Sequence, residues 1–217
     1  MTLPAQRLAR PVSRRLGLLW MATLTVGLWA SPTLAQTGPA ATVRLRGTVV
    51  SVKADSVTVK DRSSGEVVEL ALTDKTDVTE VYPIALGDIA AGSFVGTAAM
   101  PMPDGSQRAI AVTVFPEAAR GRGEGHRPFD LQPDSTMTNA TVADVVAAPS
   151  GRTLKVKYNG GEKTIVVPPD APIVTFRPGD RSLLVAGASV SIMATLVNGK
   201  PTATRVNAGK NGFVLPY

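Results

Sequence analysis

From Val43 onward the chain alternates apolar and polar positions with a period of two. Val57 and Val59 alternate with Ser56, Thr58 and Lys60, and Val68, Leu70 and Leu72 alternate with Glu69 and Ala71. Such alternation turns one face of a strand toward a core and leaves the other wet. Gly, Asp and Pro interrupt the runs, and hardly any stretch carries the three-to-four spacing of a helix. The pattern predicts five strands near 43–53, 56–61, 66–72, 93–99 and 108–115. It predicts five more near 140–147, 153–158, 162–167, 188–196 and 202–207. Residues 74–92 are expected to form a helical or loop insert, with one helical turn at Asp88-Ile89-Ala90 and its counterpart at Ser182-Leu183-Leu184.

The second set of strands repeats the first. Ser56-Val57-Thr58-Val59-Lys60 returns as Thr153-Leu154-Lys155-Val156-Lys157, Gly65-Glu66 as Gly161-Glu162, Asp74 as Asp170, Gly92 as Gly187, and Asp104-Gly105 as Asn198-Gly199. The offset drifts slowly from 97 to 94, as duplication followed by small deletions would leave it. Both Asp104-Gly105 and Asn198-Gly199 are expected to make tight hairpin turns with positive φ. The expected architecture is therefore all-β. Two tandem five-stranded OB-like barrels occupy 42–117 and 140–210, joined by a structured Gly/Pro-containing strap over 118–139, with a spacer at 36–41 and a tail at 211–217.

Before the first strand, Arg7, Arg10, Arg14 and Arg15 precede an apolar run from Leu16 to Ala30, and Ser31-Pro32-Thr33-Leu34-Ala35 supplies small residues ahead of Gln36. This order reads as a signal peptide over residues 1–35, cleaved after Ala35, and implies a periplasmic or secreted protein. Ser13-Arg14-Arg15 is a loose twin-arginine match; the general secretory route is the simpler reading. No apolar run after residue 35 is long enough for a helical membrane span.

The succession Gly47-Thr48-Val49, Val57-Thr58-Val59, Gly65, Thr76, Leu86-Gly87-Asp88, Gly92, Asp104-Gly105 and Ala109 to Val114 resembles the exported bacterial repeat known as domain of unknown function 5666. The resemblance covers both copies. It implies an OB-like β-barrel in the periplasm and names no catalytic residues.

Charge and cysteine then narrow the function classes. The whole chain carries 23 basic and 17 acidic residues, a net +6, but four of the arginines lie in the leader, which leaves +2 after cleavage. The remaining aromatics do not cluster with Lys or Arg along the sequence, so a nucleic-acid partner is not expected. There is no cysteine, hence no disulfide framework, thiolate metal site or cysteine nucleophile.

Among candidate sites, Met100 and Met102 on one strand end, with His126, the single histidine, could offer soft ligands to Cu(I). The alternative is that the methionines pack a barrel rim. Ser135 with His126 and Asp130 contains the residue types of a hydrolytic triad, and Asp130 with Asp134 those of a carboxylate pair, but all are ordinary turn residues. Gly121, Gly123 and Gly125 echo a phosphate loop, which Pro128 and Pro133 argue against by denying it a following helix. Arg127, Phe129 and Asp130 either form a partner surface or clamp the strap to a barrel, Arg127 pairing with Asp130. With no duplicated acid, base or nucleophile, the expected role is an exported, non-catalytic binding or envelope-interaction protein. A periplasmic Cu(I)-type metal-binding protein is the alternative. An envelope protein or a small ligand would be the partner.

Overall fold

In a computed structural model, the structure describes residues 42–148 and 151–217. The leader and the spacer at 36–41 lie outside the described residues. The described chain is all-β. Its strands are β1 (Thr42–Val52), β2 (Ser56–Asp61), β3 (Val67–Ala71), β4 (Asp77–Pro83), β5 (Phe94–Pro101), β6 (Gln107–Val114), β7 (Gly125–Pro128), β8 (Thr136–Ala148), β9 (Gly151–Tyr158), β10 (Gly161–Val167), β11 (Ile173–Pro178), β12 (Ser189–Val197) and β13 (Lys200–Gly209). All ten expected strands are present. β4, β7 and β11 are additional, and β8 starts four residues earlier than expected, inside the strap. Single 3-10 turns stand at Leu86–Asp88 and Arg181–Leu183, close to the expected helical turns. No helix among the described residues is long and apolar enough to cross a membrane.

The pairing of the strands corrects the expectation of one barrel per copy. β1, β2 and β3 pair in sequence, but β1 then takes β12 as its other neighbour, and β3 meets β13 in parallel. With the β12–β13 hairpin this closes a ring of five strands, three from the first copy and two from the second. The second ring is the mirror case. β8, β9 and β10 come from the second copy, and β5 and β6, from the first, close it through β5–β8 and a parallel β6–β10 contact. The spans 42–117 and 140–210 are therefore not separate pairing units, because each lends its last hairpin to the other's ring.

The strands that sequence reasoning missed explain this exchange. β4 leaves the first ring running parallel to β13, and β11 runs parallel to β6. The two pair with each other in antiparallel register, Val81 opposite Phe176 and Glu80 opposite Arg177. A compact insert would return the chain to its own ring, whereas a seven-residue strand carries it roughly 20 Å onward. Backbone bonds at the far end of each crossing are duplicated. Gly92 N–H donates to the Val142 carbonyl and Gly187 N–H to the Val49 carbonyl, both at 2.8 Å. Both glycines have positive φ, 87° and 84°, a conformation that other residues adopt only at a cost.

Each core is accordingly built from both copies. The first combines Val49, Val57, Val59 and Leu70 with Val190, Ile192, Ala203 and Val206. The second combines Val142, Leu154, Val156 and Ile165 with Val95, Ala109 and Val112. Of the two expected tight turns, Asn198-Gly199 has both residues at positive φ, 50° and 77°, as a two-residue hairpin loop requires. Asp104-Gly105 instead sits in a longer loop where only Gly105 has positive φ and Asp104 accepts from the Ser106 N–H and hydroxyl.

Candidate functional site

Where the two rings join, the crossing strands floor a cleft of about 230 Å³. Period two puts Arg44 and Arg46 of β1 on its wall, while Leu45 between them is buried in the first core. On β8, which occupies the equivalent place in the second ring, Met137 and Asn139 face the cleft. Arg205 reaches in from β13, and the strap contributes Arg122, Arg127 and Phe129. Gly96 of β5 is the close-approach point. A Cβ there would lie 2.7 Å from the Phe115 ring and 2.8 Å from Asn139 Oδ1, so only glycine lets both side chains close over the strand.

The apolar part of the lining combines Val81, Met137 and Met193 with aromatic rings. Phe115 lies 5.3 Å from Phe94 and meets Phe176 edge-on at 5.5 Å, favourable geometry for ring quadrupoles. The C-terminal residues Phe213, Leu215 and Tyr217 pack against Val81, Val174 and Phe176 of the crossing strands. Tyr217 also lines the cleft and shares a 2.6 Å hydrogen bond with the Thr113 hydroxyl; burial pushes its phenol pKa up.

Among the described residues every charged side chain lining the cleft is an arginine: Arg44, Arg46, Arg122, Arg127 and Arg205. Three have carboxylate partners just outside it. Asp130 binds Arg46 at 2.7 Å and Arg44 at 3.1 Å, and Asp77 binds Arg205 at 3.3 Å. The Arg46 hydrogen bond, reinforced by the charges of Arg44 and Arg46, holds the Asp130 carboxyl below its usual range. Arg122 and Arg127 have no carboxylate partner among the described residues. Arg46 Nε and Asn139 Oδ1 are buried without any hydrogen-bond partner among the described residues, each an expense of about 1–3 kcal/mol.

The structure does not bring the soft-metal candidates together. His126 on β7 stands opposite Thr138 of β8, which stands opposite Thr97 of β5, and Met100 lies three residues farther along β5. Two strand spacings and three residues place Met100 and His126 on the order of 10–15 Å apart at the backbone. Met102 lies beyond the strand, its sulfur accepting from the Ser106 hydroxyl at 3.4 Å. His126 Nδ1 is engaged by Thr138 Oγ1 at 2.8 Å, and its ring stacks on Tyr158 at 6.5 Å.

The triad residues are likewise occupied elsewhere. Ser135 donates to the carbonyls of Phe129 and Gln132, tying off a turn. The glycines at 121, 123 and 125 all have positive φ, but a strand follows them, not a helix. Of the strap candidates, Phe129 lies under both Arg44 and Arg46, at 5.2 and 5.4 Å, and Asp130 pairs with the same two arginines. Arg127 does not pair with Asp130; it donates to the Gly123 carbonyl at 2.8 Å. The strap is thus clamped to β1.

Burial, with a contribution from Lys163, lowers the His126 pKa below its ordinary value of 6.5. The fold therefore favours neutral imidazole, and stability falls as pH drops from about 6.5 toward the folded pKa, where only the unfolded chain takes up the proton. Melting temperatures between pH 7.5 and 5 should show wild type losing more than His126→Gln. Parallel curves would refute the assignment.

Sequence reasoning missed the cleft because its members are scattered along the chain. Aromatics far from one another in sequence, Phe115, Phe129, Phe176 and Tyr217, are gathered by the crossing strands and the tail around five arginines. Only the alternation of Arg44 and Arg46 about Leu45 could have hinted at a basic strand face. No protein-family model, curated protein or solved structure matches the chain.

Proposed function

We propose that this chain is an exported, non-catalytic binding protein whose ligand enters the cleft between two OB-like barrels built by strand exchange. The barrel reading rests on five-stranded closure through one parallel contact in each ring, together with the resemblance to the exported repeat. Export rests on the leader motif. The observation that carries the function is the lining of the cleft. Among the described residues its only charged side chains are arginines, donor-only groups that can hold an anion but offer no acceptor for a proton. The crossing strands also give the cleft a rigid floor, as a site that binds without closing needs.

A panel of anionic, neutral and cationic small molecules, tested on the secreted chain by thermal unfolding, checks this reading. A compound at about a hundred times its Kd stabilises by roughly 2.7 kcal/mol, which for a chain of this size raises the melting temperature by about 5–10 °C. Such a shift, lost when Gly96→Val fills the cleft, is the expected result. A panel with no stabilising compound of any charge overturns the reading.

A further inference from the structure

Resting on that reading, we propose that the ligand of the cleft is a small organic oxyanion carried on an aromatic ring, its anionic head held by Arg122 and Arg127. Charge comes first. Arg44 and Arg46 share Asp130, and Arg205 has Asp77, so two of their three positive charges are answered within the protein. Arg122 and Arg127 line the same cleft with no carboxylate of their own among the described residues. The Arg122 side chain makes no hydrogen bond at all among them; only its carbonyl is used, by Asn139 Nδ2 at 3.0 Å. Two guanidinium groups so placed offer planar pairs of N–H donors that match a carboxylate, sulfonate or phosphate head.

The body of the ligand follows from the rest of the lining and from the volume. Phe115, Phe176 and Tyr217 present ring surface that a bare inorganic anion would leave unused. A cavity of about 150 Å³ accommodates a benzene. The 230 Å³ here therefore has space for one ring system plus an acid group, and little more. A single-stranded nucleic acid also combines stacking bases with phosphate, but its binding sites track a backbone over about four or more nucleotides. A cleft of this size holds one.

Calorimetric titration of the secreted chain with naphthoate, naphthamide, acetate, inorganic phosphate and a deoxythymidine oligomer separates these possibilities. Naphthoate should bind at least about tenfold more tightly than naphthamide, which lacks the charge, and than acetate or phosphate, which lack the ring. Added salt should weaken naphthoate and leave naphthamide unchanged. Arg122→Gln and Arg127→Gln should each weaken naphthoate by about tenfold. Arg127→Gln also removes the Gly123 bond, so Arg122→Gln, whose side chain has no partner to lose, is the deciding variant, with unfolding curves confirming that its fold is intact.

Naphthamide binding as tightly as naphthoate would overturn the oxyanion assignment and leave the binding reading standing. Equal binding of acetate or phosphate would overturn the aromatic-ring assignment, and unaltered binding in Arg122→Gln the placement of the anionic head, each again leaving the binding reading standing. An oligomer binding more tightly than naphthoate would make the cleft part of a nucleic-acid surface and overturn the small-ligand assignment. Absence of naphthoate binding while another class of compound stabilises the chain defeats this proposal alone; absence of any binder defeats both.

Discussion

Chains cut within the strap, giving residues 36–117 and 118–217, should each fail to fold alone and recover a cooperative β transition when mixed in equal amounts. The first piece holds β1, β2 and β3 of one ring and only the β5–β6 hairpin of the other. Without its partner the first core loses Val190, Ile192, Ala194, Ala203, Val206 and Ala208, every one of them buried. At about 1.5–3 kcal/mol for each larger apolar side chain, these and the matching losses in the second core rival a typical total stability of 5–15 kcal/mol. Far-ultraviolet circular dichroism of each piece, then of the mixture, reads the outcome. The melting temperature of the mixture should rise with concentration, since folding is now bimolecular. A single piece that melts cooperatively as a monomer at the temperature of the intact chain would show that each copy closes its own ring.

One copy does contain five ring strands, so what opposes self-closure must lie in side chains. Across the first ring's seam Leu45 faces Ile192, and at the equivalent seam of the second ring Thr138 faces Thr97. The exchanged arrangement thus matches apolar with apolar in the first ring, while in the second the Thr138 hydroxyl is engaged by His126 Nδ1 and the Thr97 hydroxyl is buried without a partner among the described residues. Self-closure would set Leu45 against Thr97 and Thr138 against Ile192, placing a hydroxyl in the first core and an aliphatic chain beside His126. Gly96 opposite Asn139 is a second matched pair, since the missing Cβ is what admits the amide. Cross-strand pairs of this kind differ by roughly 0.2–1 kcal/mol each, so several together set the preference.

These pairs also show how far the sequence could be read. Period-two alternation located ten strands because Val57, Val59, Leu154 and Val156 point into cores while Lys60, Lys155 and Lys157 do not. β4 escaped because it is buried on both faces at the joint. Val78, Glu80 and Val81 are all inside, and Glu80 is tolerated there through its 2.8 Å bond to Arg177. That ion pair lowers the Glu80 pKa, and a charge at an inward position erases the apolar signal. With β4 read as part of an insert and β11 left unassigned, nothing marked where the chain crosses. The two rings then seemed to follow the two copies, and the cleft between them had no reason to exist. Duplication is visible in one copy at a time, whereas exchange is visible only in the complementarity of residues 147 positions apart, such as Leu45 and Ile192.

Ile192→Ala should therefore destabilise the chain by about 2–5 kcal/mol, the usual cost of truncating a fully buried aliphatic side chain. Its coupling to Leu45 carries the greater information. Leu45→Ala alone should cost a comparable amount, but the double variant should cost less than the two together by about 0.5–3 kcal/mol, because the second truncation removes a contact the first has already lost. Leu154→Ala, equally buried but in the second core, serves as the control. With Leu45→Ala it should be additive within about 0.5 kcal/mol, as separate cores require. Urea unfolding of residues 36–217, read as midpoint and slope for each variant, gives all these values. Were each barrel confined to its own copy, Leu45 and Ile192 would lie in different cores and their effects would simply add.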